Sequence, residues 1–140
     1  MISLEDILVI VQGPEYESTK TTIEYLRSFG FSKENIILST YKKEESIGST
    51  KETDQEVIEY DCLIAEVNEI KPNTNYNFDV LNKNNYANQI LTTSNAFKTI
   101  SELELSYKYV IKIRSDEYYE DYSGLIEKME DNPSKIICSN

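Results

Sequence analysis

Hydrophobic residues in this chain come in short, separated runs, and the spacing inside each run predicts the element it forms. Ile7 to Val11, between Asp6 and Gln12, is an unbroken, mostly β-branched run closed by Gly13-Pro14, the pattern of a strand buried on both faces. Ser18 to Phe29 then carries Ile23, Leu26 and Phe29 at helical spacing with Lys and Glu between them, and Gly30 stands where a helix would stop. Ile36-Ile37-Leu38 follows and runs into Ser39-Thr40-Tyr41. Strand, helix, strand is a βαβ unit, for which a right-handed crossover is expected.

Lys42 to Glu56 lacks periodicity and reads as a surface loop, with room for a short helix near Asp54 to Ile58. Cys62 to Ala65 predicts a third strand, and the Asn-rich stretch Lys71 to Asn77, opened by Pro72, a second loop. From Asn84 to Glu104 the positions Ala87, Ile90, Leu91, Ser94, Phe97, Ile100 and Leu103 keep a 3.6-residue period, which predicts a long helix with that face inward and Asn, Thr and Lys outward. Tyr109 to Ile113 is a fourth strand ending at Arg114-Ser115-Asp116. Tyr122, Leu125, Ile126 and Met129 predict a closing helix ended by Asp131-Asn132-Pro133, and Lys135 to Cys138 a last strand. The fold class expected is α/β: a Rossmann-like, mostly parallel central sheet flanked by helices.

Length allows one core, so residues 1–140 are expected to form a single domain. The longest apolar run is far short of the ~20 residues that span a bilayer, and Met1 to Asp6 lacks the positive charge of a signal peptide, so no transmembrane segment and a cytoplasmic location are expected. Charge narrows the partners. With 25 acidic and 14 basic residues the formal net charge is −11, and no basic cluster exceeds Lys42-Lys43, which argues against nucleic acid. An anionic ligand would therefore need backbone N–H groups, an arginine or a cation held by carboxylates. The chain has no histidine, which removes histidine bases and histidine metal sites, and its two cysteines, Cys62 and Cys138, read as buried free thiols.

In open parallel sheets ligands sit beyond the carboxyl ends of the strands. The residues there are Gln12-Gly13-Pro14, Ser39-Thr40-Tyr41, Glu66-Val67-Asn68 and Arg114-Ser115-Asp116-Glu117. No glycine-rich phosphate loop is among them. Asp116, ending a buried strand, suits an oxygen site for Mg²⁺ or Mn²⁺, with Glu117, Glu120 and Asp121 nearby. An Arg114–Asp116 surface ion pair, followed by a helix capped by Asp121 or Ser123, accounts for the same residues equally well.

Taken in order, Gln12-Gly13-Pro14, Ile37 to Tyr41, Asp61 with Leu63-Ile64, Asn85 with Asn88-Gln89-Ile90 and Thr92-Thr93, and Lys112 to Asp116 resemble the motifs of the WavE-type lipopolysaccharide-synthesis glycosyltransferases. The resemblance runs from about Ile7 to Cys138, and its most specific part is the K-x-R-S-D strand end. It implies the donor-binding half of a GT-A-type enzyme that transfers a sugar from a nucleotide-diphosphosugar donor to a saccharide acceptor. On that pattern Asp116 would hold the divalent cation, and Arg114 would steady the phosphates or the Asp itself. Gln12, Gly13, Ser39, Thr40, Tyr41 and Ser115 would lie around the donor, and Asn85, Gln89 and Thr93 would line the cleft from the long helix. Tyr41 stands where the family has Trp, and Ala87-Asn88 where it has Asn-Arg, so a cationic donor contact is missing. The acceptor half would begin about where this sequence ends. A catalytically silent nucleotide- or sugar-binding module is the alternative.

Overall fold

The computed structural model describes residues 1–42, 60–68 and 86–137. Four strands form one sheet among them: β1 (Ile7–Gln12), β2 (Ile36–Lys42), β3 (Leu63–Asn68) and β4 (Tyr109–Arg114). Their order is β3-β2-β1-β4, and every neighbouring pair is parallel. Three helices accompany them: α1 (Glu17–Phe29), α2 (Tyr86–Glu102) and α3 (Tyr122–Asp131). The expected α/β arrangement is therefore present. No helix among the described residues is long and apolar enough to cross a membrane.

β1 explains the layering. It is paired on both edges and all six of its residues are buried. Because side chains alternate across a strand, Ile7, Val9 and Val11 point to one face and Leu8 and Ile10 to the other. The first set packs with Ile23 and Leu26 of α1 and with Tyr122, Leu125, Ile126 and Met129 of α3. The second packs with Ala96 and Ile100 of α2. Helices α1 and α3 thus share one face of the sheet and α2 covers the other.

Local chemistry sets the ends of the elements. Gly30 takes φ +128°, a left-handed conformation natural to glycine, and its N–H turns back to Leu26 O and Arg27 O. This drops Phe31 into the core, where Tyr122, Phe29 and Phe31 meet with ring centroids 5.6–6.1 Å apart. Asp121 caps α3, accepting from Gly124 N–H at 3.0 Å. Tyr122 is wholly buried and Tyr119 lies against it at 5.1 Å, so these two tyrosines serve packing.

Three expectations need correction. Ser39-Thr40-Tyr41 and Glu66-Val67-Asn68 are not loops past the strands: β2 and β3 pair through them, with Thr40 opposite Glu66 and Tyr41 opposite Val67. A parallel ladder satisfies backbone groups whatever the side chains are, so a polar residue does not end it. The second concerns α2, whose inward face carries Asn88, Thr92, Ala96 and Ile100, while Ile90 is 67% exposed and Phe97 43%. Small Ala96 lets the helix approach the sheet, and the polar residues meet polar strand ends. Third, Lys135 to Ile137 are not a strand, and Ile136 is almost fully exposed. A parallel strand beyond β4 reached through α3, on the same face as α1, would need a left-handed crossover, which such connections almost never adopt. The expected loops and short helix within residues 43–59 and 71–77, Asn85 and Cys138 lie outside the described residues.

Cys62, just before β3, is a free, half-buried thiol whose pKa burial pushes up to about 11, with Asp61 adding a smaller push and a backbone hydrogen bond from Leu38 opposing both. The folded state therefore favours the protonated thiol. Its contribution is complete below the ordinary thiol pKa and is lost as pH rises from about 9 towards 11. Urea unfolding across that window should show stability falling, and Cys62→Ser should flatten the slope. The reassigned face of α2 gives a second test by the same measurement. Ala96→Leu should cost about 1–3 kcal/mol by overpacking, whereas Ile90→Ala should change stability by less than about 0.5 kcal/mol.

Candidate functional site

In the order β3-β2-β1-β4 the chain leaves β1 towards β2 on one side and returns to β4 on the other. The gap between the carboxyl ends of β1 and β4 is the switch point where parallel α/β sheets hold ligands. The two turns there are interlocked. Gly13 has φ +129°, and a Cβ on it would lie 2.5 Å from Ser115 Oγ. Ser115 donates from Oγ to Pro14 O at 2.6 Å and from N–H to Gln12 O at 2.8 Å. Thr19 of α1 adds a long hydrogen bond to Ser115 O, while its hydroxyl accepts from Tyr16 N–H at 2.9 Å and sets the start of α1 beside the turn.

A second polar network ties the strand ends to α2. Gln12 is buried and its side-chain amide donates to Gln89 O at 2.7 Å and to Thr92 Oγ1 at 3.0 Å. Thr92 in turn donates to Asn88 O at 2.8 Å, and Ser39 Oγ donates to Thr92 O. Every donor in this set is used inside the protein, as burial requires.

What remains open to solvent is a cleft of about 40 Å³ bounded by Gly13, Pro14, Tyr16, Tyr41, Gln89, Arg114 and Asp116, with Gln12, Thr92 and Ser115 behind. Liquid water occupies about 30 Å³ per molecule, so the enclosed space suits an ion or one phosphate oxygen, and a larger ligand would extend outward along the surface. Arg114 and Asp116 close it off as a bidentate pair, Nε to Oδ1 at 3.0 Å and Nη2 to Oδ2 at 2.8 Å. Their side chains are 57% and 39% exposed, so solvent screens the pair and it contributes at most about 1 kcal/mol to stability.

The structure thus brings together Gln12, Gly13, Tyr41, Gln89, Arg114, Ser115 and Asp116 of the sequence candidates. Ser39 and Thr40 are fully buried and present no surface to the cleft. Thr93 lies outside it, and Thr92, one residue earlier, takes the inward place. Tyr16 is not among the sequence candidates, and Thr92 enters only as part of the helix motif, with Thr93 in its place as the lining residue. Asn88, Thr92, Ala96 and Ile100 at four-residue steps were the available signal, concealed because half of them are polar. Glu117, Glu120 and Asp121 do not line the cleft, and no group of three or more His, Cys, Asp or Glu is gathered to hold a metal among the described residues. Tyr60 donates to Glu15, just before α1, at 3.1 Å, and burial followed by the Glu15 charge pushes its phenol up to about 12. No protein-family model, curated protein or solved structure matches the chain.

The contact between Gly13 and Ser115 makes the interlock measurable. Gly13→Ala should cost about 1–3 kcal/mol through backbone strain and the collision with Ser115 Oγ. In a double-mutant cycle with Ser115→Ala, urea unfolding should reveal a coupling of at least about 0.5 kcal/mol, because removing the hydroxyl relieves the collision.

Proposed function

We propose that this chain binds a nucleotide-diphosphosugar at the β1/β4 switch point, as the donor-binding domain of a glycosyltransferase that passes the sugar to a saccharide acceptor. The observation that carries the reading is the meeting of the Gln12-Gly13-Pro14 and Arg114-Ser115-Asp116 turns at that point of the sheet. The second of these turns belongs to the most specific part of the resemblance to the WavE-type transferases, the K-x-R-S-D strand end. α1 begins at the cleft rim, which directs its positive end towards a phosphate. Arg114 offers a fixed cation in a chain whose net charge is −11. Tyr16, 47% exposed at the rim, offers an aromatic surface to a base or sugar.

Asp116 supplies one carboxylate rather than a cage. That fits Mg²⁺ or Mn²⁺ bound in the way such ions accompany nucleotides, through one or two carboxylates with the remaining ligands from phosphate and water. When bound, the ion would neutralise charge developing on the departing diphosphate. Arg114, released from Asp116, would turn to the phosphate oxygens. One observation favours the silent binding module as a second reading. Asp116 is the only carboxylate lining the cleft among the described residues and is already paired, which leaves no separate base for an acceptor hydroxyl.

Calorimetric titration with UDP- and GDP-sugars, in Mn²⁺ and again in chelator, tests the binding. The expected result is binding that requires Mn²⁺ and weakens by more than about tenfold in Asp116→Ala, a loss of at least about 1.4 kcal/mol. Absence of binding to every nucleotide tried would overturn both readings. Release of free nucleotide on adding saccharide acceptors would separate the enzyme from the silent module.

A further inference from the structure

A hollow of about 320 Å³ lies apart from the cleft lining and contains none of the candidate site residues. It follows β4, which is an edge strand of the sheet among the described residues. Its lining includes all six consecutive residues from Lys108 to Ile113. A pocket over a sheet face would touch alternate residues, since successive side chains point to opposite faces. Consecutive lining means that the main-chain edge itself is offered. The hydrogen bond from Ser115 N–H to Gln12 O puts the odd-numbered β4 positions towards β1, so Val110 and Lys112 direct their N–H and C=O groups outward.

The side chains along this edge sort by face. Tyr109, Ile111 and Ile113 belong to the face covered by α3, where Leu125 and Met129 continue the apolar wall. Lys108 and Lys112 alternate with them on the opposite face, and Lys135 stands on the far rim. Lys108 also reaches Asp6 at 3.5 Å but is 71% exposed. In a chain with 25 acidic and 14 basic residues, this groove has three lysines and no Asp or Glu in its lining. Lysines on an edge strand discourage pairing with a second copy of the same strand, because like charges would lie across the new ladder. They favour a strand of the opposite sign.

We infer that the β4 edge docks an extended acidic segment of another protein by strand addition, apolar side chains entering the groove against Ile111, Ile113 and Met129 and alternate Asp or Glu side chains meeting Lys108 and Lys112. Main-chain hydrogen bonds to Val110 and Lys112 provide the register, and the alternation provides the selectivity. This inference is independent of any nucleotide in the cleft.

The probe is a blocked peptide, acetyl-Val-Glu-Ile-Glu-Val-Glu-Ile-amide, with its Lys-for-Glu counterpart as control, added to the full chain and followed by amide hydrogen exchange. The acidic peptide should slow exchange at Val110 and Lys112 by about tenfold or more while leaving Ile111 and Ile113, already bonded to β1, little changed. The lysine peptide should bind about tenfold more weakly, and Lys108→Glu/Lys112→Glu should reverse the preference. Both lysines are exposed, so circular dichroism should show the variant folded. Equal binding of the two peptides, no protection at Val110 and Lys112, or protection that arises from self-association without peptide would each overturn the proposal. So would dodecanoate binding in the groove where the acidic peptide does not.

Discussion

Everything described here is positioned by the double burial of β1. A strand paired on both edges and covered on both faces has no freedom to shift its register, since a slip of one residue would exchange its two apolar sets and strand both. Leu8 and Ile10 draw α2 onto one face, and Ile7, Val9 and Val11 draw α1 and α3 onto the other. Its carboxyl end is fixed as firmly. Gln12 is held by α2, Gly13 by β2 and by its contact with Ser115, and Pro14 by the Ser115 hydroxyl. The cleft inherits its geometry from that strand rather than from the loops around it.

Much of this layout was legible in the sequence, for reasons that differ by element. The continuous, mostly β-branched run at Ile7 to Val11, closed by Gly13-Pro14, has the pattern of a strand buried on both faces, and Gly30 after Phe29 is a helix stop with a mechanism. The α2 face was not legible, because amphipathic spacing counts Ile90 and Phe97 as inward and Asn88 and Thr92 as outward. The real constraint was non-local: the buried amide of Gln12 and hydroxyl of Ser39 needed partners, and α2 supplies them through the Thr92 hydroxyl and the Gln89 and Thr92 carbonyls. The last run, Lys135 to Cys138, has strand composition, yet crossover handedness is decided by where α3 packs, which no window of sequence contains.

For the cleft, the location was readable and the exposure was not. The rule that ligands gather beyond parallel strand ends correctly grouped the first and fourth turns. It does not distinguish a polar side chain that faces solvent from one that braces the turn. Gln12, Ser39 and Ser115 are bracing groups, short or fully hydrogen-bonded and buried, whereas Arg114 and Asp116 project. The difference follows from the neighbours each side chain meets in space.

The bidentate clasp between Arg114 and Asp116 has a consequence for selectivity. Each group already holds its counter-ion, so an incoming species that satisfies one of them leaves the other uncompensated. A lone cation would take Asp116 and leave the guanidinium to solvent alone, and a lone anion would take Arg114 and leave the carboxylate to solvent alone. A species that presents both signs a few ångströms apart replaces the clasp at both ends in one exchange. On the proposed reading, a neutralised pair such as a metal-bound anion would displace the clasp more readily than a simple salt, by a margin that solvent screening keeps to about 1 kcal/mol.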